Sequence, residues 1–230
     1  MGNIKPKLEN PLMGNYYCVM LKLGVVCESC NNVIPVNGFV HEVECAKCLK
    51  STKLEKRLRW QEILNYHNPS IDIFTATTKH QPGAGDYGAW QPVKLKTWRK
   101  WPKCVKCKSK LDETIFADVE SAQHDFSCKK CNTTSGFKPV SEHIKTIFPQ
   151  VLFTLDELPE NFHKINFKKK NEIKPIAMQC MTCGGSLKID GTSRMVTCEF
   201  CTSNNYLPDQ VWLALHPQEE MKEWFIVFKQ

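Results

Sequence analysis

Twelve of the thirteen cysteines in this 230-residue chain stand in six C-x2-C pairs: Cys27/Cys30, Cys45/Cys48, Cys104/Cys107, Cys128/Cys131, Cys180/Cys183 and Cys198/Cys201. Taken in order, the pairs form three units of C-x2-C, a gap and a second C-x2-C, with gaps of 14, 20 and 14 residues. A tetrahedral zinc ion takes four ligands at about 2.3 Å, and two cysteines separated by two residues supply half of them from one tight turn. The twelve cysteines are therefore the predicted metal ligands, and the predicted cofactor is structural zinc, three ions per chain. Cys18, the one left over, is expected to be a buried free thiol.

The residues inside each unit predict hairpins. In the first, Ile34 and Val36 alternate with Val33 and Pro35, and Asn37-Gly38 follows, a pair suited to a type I′ turn. The third unit repeats this at a constant offset of 153 residues: Leu187 and Ile189 alternate with Ser186 and Lys188, followed by Asp190-Gly191. Val43 and Val196 each stand two residues before a third cysteine. The middle unit has no such turn, yet Leu111 matches Ile34 and Leu187, and Phe126 matches Val43 and Val196. The chain therefore carries three copies of one unit. The residue after the second cysteine of a metal turn often needs a left-handed backbone. Asn31, Asn132 and Gly184 suit that requirement; Leu49, Lys108 and Thr202 do not.

On these residues each unit resembles a zinc ribbon of the rubredoxin-like kind. The resemblance implies a small, metal-stabilised, mainly β fold made of three ribbons with short helices and irregular connectors. The scarcity of glycine after the ligands departs from the rubredoxin pattern, so iron is the less favoured metal. The expected divisions are ribbon 1 with a helix over 16–67 and a connector over 68–100. Ribbon 2 follows over 101–150, a second connector over 151–175, and ribbon 3 with a helix and a C-terminal strand over 176–230.

Helical spacing appears from Leu54 to Tyr66, where Trp60, Ile63 and Leu64 share a side, from Ser141 to Phe148, and between Pro208 and Pro217 around Val211, Trp212 and Leu215. These apolar residues are expected to pack on the ribbons, because small metal modules have few others to bury. The tail Trp224-Phe225-Ile226-Val227-Phe228 is read as a strand of the body, with an exposed docking segment as the alternative. Gly83-Ala84-Gly85-Asp86-Tyr87-Gly88 spells G-x-G-x-x-G, but Pro82 and Pro92 leave no strand before it or helix after it, so it is read as a surface loop and no nucleotide cofactor is expected. Lys168-Lys169-Lys170 reads as a solvated face.

From Lys94 to Lys110 eight basic residues occur without one acid. Lys94, Lys96, Trp98, Arg99, Lys100, Trp101 and Lys103 are the candidate nucleic-acid contacts, since cations neutralise phosphates and indoles stack on bases. The competing reading is structural: lysines offset the charge of four thiolates, and tryptophans complete a small core. No catalytic pattern accompanies the cysteines, and four ligands close each site, so no enzyme is expected. Asp118 and Glu120, split by Val119, do not form the adjacent acids of transcript-cleavage ribbons. The favoured role is a protein-interaction scaffold or adaptor with an unidentified protein partner. Nucleic-acid binding is the alternative, and zinc or thiol redox sensing is the more distant one.

The longest apolar run, Tyr16 to Leu21, is too short for a membrane span, which needs about 20 residues. The opening residues carry no leader pattern, and a cytoplasmic, reducing location is expected, where cysteines favour metal over disulfides. Formal charge is +7 with neutral cysteines. Four thiolates on one zinc(II) carry −2, so three sites contribute about −6 and bring the loaded chain to about +1. The basicity that remains is local, in Lys94 to Lys110.

Overall fold

A computed structural model of the chain describes residues 12–13, 16–55, 58, 60–66, 85–86, 93–116, 124–157 and 177–229. The rest of the Gly83 to Gly88 motif, Lys168-Lys169-Lys170, Asp118 and Glu120 lie outside them. The strands are β1 Leu12–Met13, β2 Tyr16–Val26, β3 Val33–Val36, β4 Glu42–Glu44, β5 Ser51–Lys53, β6 Gly85–Asp86 and β7 Val93–Arg99. They continue as β8 His124–Ser127, β9 Thr134–Pro139, β10 Val151–Leu155, β11 Met195–Thr197, β12 Asn204–Tyr206 and β13 Trp224–Lys229. The fold is mainly β, as the repeated ribbon pattern implies.

The strands of the central sheet run in the order β6-β7-β2-β13-β10-β9-β8, with β1 and β3 also paired to β2. Parts of both connectors are thus strands, β7 in the first and β10 in the second. Gly85 and Asp86 do not form an open loop: they pair with Leu95 and Lys94.

The sheet is covered on both faces, and β2 shows why. Its alternating residues Val19, Leu21, Leu23 and Val25 join the core of ribbon 1, where Ile34, Val36, Val43, Ile63 and Leu64 are buried. Cys18 and Met20 point the other way, into the core of ribbon 2 with Leu111, Phe116 and Phe137. A strand packed on both faces is apolar without alternation, which is the character of the Tyr16 to Leu21 run. Cys18 is fully buried, and burial pushes its thiol up.

Among the described residues three α-helices lie within the segments of helical spacing, the first beginning at Trp60 and leaving Leu54 outside it. They span Trp60–Tyr66, Glu142–Ile147 and Asp209–Leu215, the second capped by the Ser141 side chain and the third entered at Pro208. The C-terminal tail is a strand of the body, as read from the sequence, and an interior one: β13 lies between β2 and β10.

Candidate metal centres

The paired strands do not span the gaps between cysteine pairs; they flank the pairs themselves. β2 and β3 flank Cys27/Cys30, β4 and β5 flank Cys45/Cys48, β8 and β9 flank Cys128/Cys131, and β11 and β12 flank Cys198/Cys201. Single bridges, Lys103 to Lys110 and Gln179 to Ser186, do the same for Cys104/Cys107 and Cys180/Cys183. Each C-x2-C is the tip of its own hairpin, so a ribbon is two hairpins facing each other through their sulfurs.

This arrangement overturns the expected type I′ turns. A type I′ turn needs positive φ at both central residues, and neither Asn37 nor Gly38 has it, while only Gly191 does in Asp190-Gly191. Asn37 serves otherwise. Its side chain donates to Glu220 O at 2.9 Å and accepts from Lys222 N at 2.8 Å, tying the strap before β13 to ribbon 1. Gly38 is needed for space, because a Cβ there would run into the Glu157 side chain, whose carboxylate accepts from Phe39 N at 2.8 Å.

All six turns share one backbone pattern. The first cysteine accepts from the residue four on, and its own N–H donates to the carbonyl five on, as in Asn31 N to Cys27 O at 2.9 Å and Cys27 N to Asn32 O at 2.8 Å. The closure forces the residue after the second cysteine into the left-handed region every time. Asn31, Leu49, Lys108, Asn132, Gly184 and Thr202 have φ of 57, 56, 58, 54, 73 and 60°. Local geometry therefore overrides residue preference at Leu49, Lys108 and Thr202, where a left-handed backbone costs about 1–2 kcal/mol. Thr202→Asn is expected to raise the unfolding free energy by about 1 kcal/mol, read by denaturant titration at unchanged metal content. Leu49→Asn is expected to act in the opposite direction, because the Leu49 side chain packs into the core of ribbon 3.

The twelve predicted ligands converge as three groups of four, the ligand atoms of each lying within 4.8 Å of one another. Sulfur pairs across the hairpins are 3.5 and 3.6 Å apart in ribbon 1, 3.5 and 3.6 Å in ribbon 2, and 3.6 and 3.7 Å in ribbon 3. A tetrahedron with metal–sulfur bonds of about 2.3 Å has edges of about 3.8 Å. The cysteines among the described residues are free of disulfides. The donor sets fit a thiophilic, tetrahedral ion such as zinc, and in each the four cysteines fill its coordination.

Further groups surround the sulfurs. The hydroxyls of Ser109, Thr133 and Ser203 lie 2.9, 3.2 and 3.1 Å from Cys107, Cys131 and Cys201. Each is two residues after the second cysteine of its pair, a regularity visible in the sequence but without meaning until the turn geometry is known. Asn205 Nδ2 adds a contact to Cys180 Sγ at 3.5 Å. The thiols respond unequally: the Ser109 hydroxyl lowers Cys128 to about 6 and Ser203 lowers Cys180 to about 5, whereas burial pushes Cys45 up to about 12. Packed this closely, thiolates repel one another, and a divalent cation resolves the conflict.

The seven candidate nucleic-acid residues separate into different roles. Lys94 and Lys96 are exposed on β7, in register with Gly24 and Lys22 of β2. Trp98 and Arg99 pair with Met20 and Val19. Lys100 pairs with Glu223 at 3.1 Å, Trp101 donates its indole N–H to Leu111 O at 2.7 Å, and Lys103 bridges to Lys110 within ribbon 2. Trp101 packs against the ribbon 2 core. No protein-family model, curated protein or solved structure matches the chain. Among the described residues no helix is long and apolar enough to cross a membrane.

Proposed function

We propose that this chain is a non-enzymatic protein-interaction scaffold, held by three structural zinc ions, whose third ribbon presents the docking face. The carrying observation is exposure at the two metal turns of ribbon 3. Met181 is 88% exposed and Phe200 73% exposed, each between the cysteines of its pair. The corresponding positions in ribbons 1 and 2 hold Glu28, Ser29, Ala46, Lys47, Val105, Lys106, Lys129 and Lys130, mostly polar. The Phe200 ring lies against Gly185, where a Cβ would be 2.6 Å from Phe200 Cδ2. Large apolar side chains held in solvent on a rigid turn are the usual anchors of a protein interface.

The basic segment gives the alternative less support. Lys100 and Trp101 are engaged in contacts within the chain, and the exposed cations of the segment are divided between β7, with Lys94 and Lys96, and ribbon 2, with Lys106, Lys108 and Lys110. The discriminating experiment is quantitative crosslinked co-purification from the native cell with the wild-type chain and with Met181→Ser/Phe200→Ser, alongside titration of labelled single-stranded and duplex nucleic acid. The scaffold reading expects a defined protein set lost from the double variant. Salt-sensitive nucleic-acid binding that Lys94→Ala/Lys96→Ala abolishes, with the protein set unchanged by the double variant, overturns it.

A further inference from the structure

Ribbon 3 is not independent of ribbon 1. The helix after ribbon 3 places Trp212 in that ribbon's small core with Leu187, Val196 and Leu207. The same indole donates its N–H to Ala46 O at 3.0 Å, in a buried contact. Ala46 is inside the second metal turn of ribbon 1, Cys45-Ala46-Lys47-Cys48. Lys47 of that turn pairs with Asp209 at 2.7 Å, and Asp209 also holds Arg194 at 2.7 Å. Leu49, the left-handed residue that closes the turn, packs into the ribbon 3 core.

The segment after the helix reaches the other metal turn of ribbon 1. Gln218 accepts from Asn32 Nδ2 at 3.0 Å and donates to Val33 O at 3.1 Å. The same Asn32 Nδ2 lies 3.8 Å from Cys45 Sγ. One stretch of chain, 209–218, therefore grips both turns of ribbon 1. Ribbon 2 packs in a separate cluster on the opposite face of the sheet.

The geometry points to a metal-linked latch: the metal centre of ribbon 1 is the seat on which ribbon 3 docks, so that metal loss from ribbon 3 is passed to ribbon 1 and not to ribbon 2. This rests on the reading of the three four-cysteine sets as zinc sites. Ala46 O faces Trp212 only while Cys45 and Cys48 are held in their turn. Conversely, the Trp212 donor stays at Ala46 O only while the ribbon 3 core is closed, because both functions use one side chain. An indole N–H withdrawn from its acceptor while still buried is costly, which makes the two states exclusive. Coupling of this kind is reciprocal. Cys183 is the one exposed ligand of the twelve, so ribbon 3 is where metal loss begins.

The test uses the whole 230-residue chain, zinc-loaded, under a chelator challenge, with time-resolved alkylation of each cysteine mapped by mass spectrometry. In Trp212→Phe/Asp209→Asn the cysteines of ribbon 1 are expected to label about tenfold sooner than in wild type, within the usual range of coupling energies, while those of ribbon 2 keep their rate. Cys183→Ser, which disables ribbon 3 without touching the contact, is expected to produce the same acceleration in ribbon 1. Unchanged labelling of ribbon 1 in both variants overturns the latch. So does equal acceleration in ribbon 2, which would report general destabilisation. A wild-type chain that purifies without zinc defeats the metal reading itself, and zinc content is measured first to separate the two failures.

Discussion

A chain shortened by its last seven residues, ending at Glu223, is expected not to reach the native state. β13 lies between β2 and β10 and pairs with both, from Trp224 opposite Leu21 to Lys229 opposite Tyr16 on one side and from Phe225 opposite Leu155 to Phe228 opposite Val151 on the other. Trp224, Phe225, Ile226, Val227 and Phe228 are each 2% exposed or less. Full burial of such side chains is worth about 1.5–3 kcal/mol apiece, so the strand contributes on the order of 10 kcal/mol, as much as the net stability of a typical domain. Its removal also separates the sheet into two parts, each with a new exposed edge. The expected observations are loss of the near-ultraviolet circular dichroism signal, loss of cooperative melting, and aggregation. A truncated chain that melts cooperatively near the wild-type temperature would show that the strand is peripheral.

The alternating faces of β13 explain why so short a segment matters to two ribbons at once. Trp224, Ile226 and Phe228 join the ribbon 1 core, and Phe225 and Val227 join that of ribbon 2. The Trp224 indole N–H reaches Val36 O at 3.2 Å, a carbonyl of ribbon 1 itself. One strand thus completes both cores.

The three four-cysteine clusters were legible in the sequence because a ligand set depends on residue type and short spacing, both of which a linear chain displays. The repeated positions were legible for the same reason: Ile34, Leu111 and Leu187 are all buried, as are Val43 and Val196. What spacing does not display is which strands pair. Asn37-Gly38 looks like a hairpin turn from its composition, yet the asparagine is spent on clamping the strap 183 and more residues away, a partner no local pattern announces. The central sheet was hidden in the same way. Strands β7 and β10 come from segments read as connectors, and the tail, read as a strand of the body, carried no sign of its neighbours, because pairing among β7, β2, β13 and β10 is set by contacts distant in sequence. The positive φ at Leu49, Lys108 and Thr202 was obscured for the opposite reason: residue preference argued against it, and the closed metal turn outweighs preference. In the basic segment, the run of lysines suggested one surface, whereas strand alternation and the ribbon 2 core divide it between solvent and interior.

Metal removal is expected to act unevenly on this architecture. A structural zinc site contributes apparent binding free energy of about 10–16 kcal/mol, which in small modules is folding energy. Elemental analysis of the freshly purified chain is expected to give three zinc ions. Ribbon 3 has the least to fall back on: its own buried cluster consists of Cys180, Leu187, Val196, Cys198, Leu207 and Trp212, so two of its six members are ligands. Ribbons 1 and 2 share the central sheet, whose apolar contacts among β2, β10 and β13 do not involve a metal ligand. Exhaustive chelation should therefore collapse hydrogen-exchange protection across β11, β12 and the helix Asp209–Leu215, while amides of β2 and β13 exchange faster but remain the slowest in the chain. Restoring zinc should restore protection. Protection in β11 and β12 that survives complete metal removal would mean that the cluster around Trp212 folds unaided, and the structural role of that site would have to be abandoned.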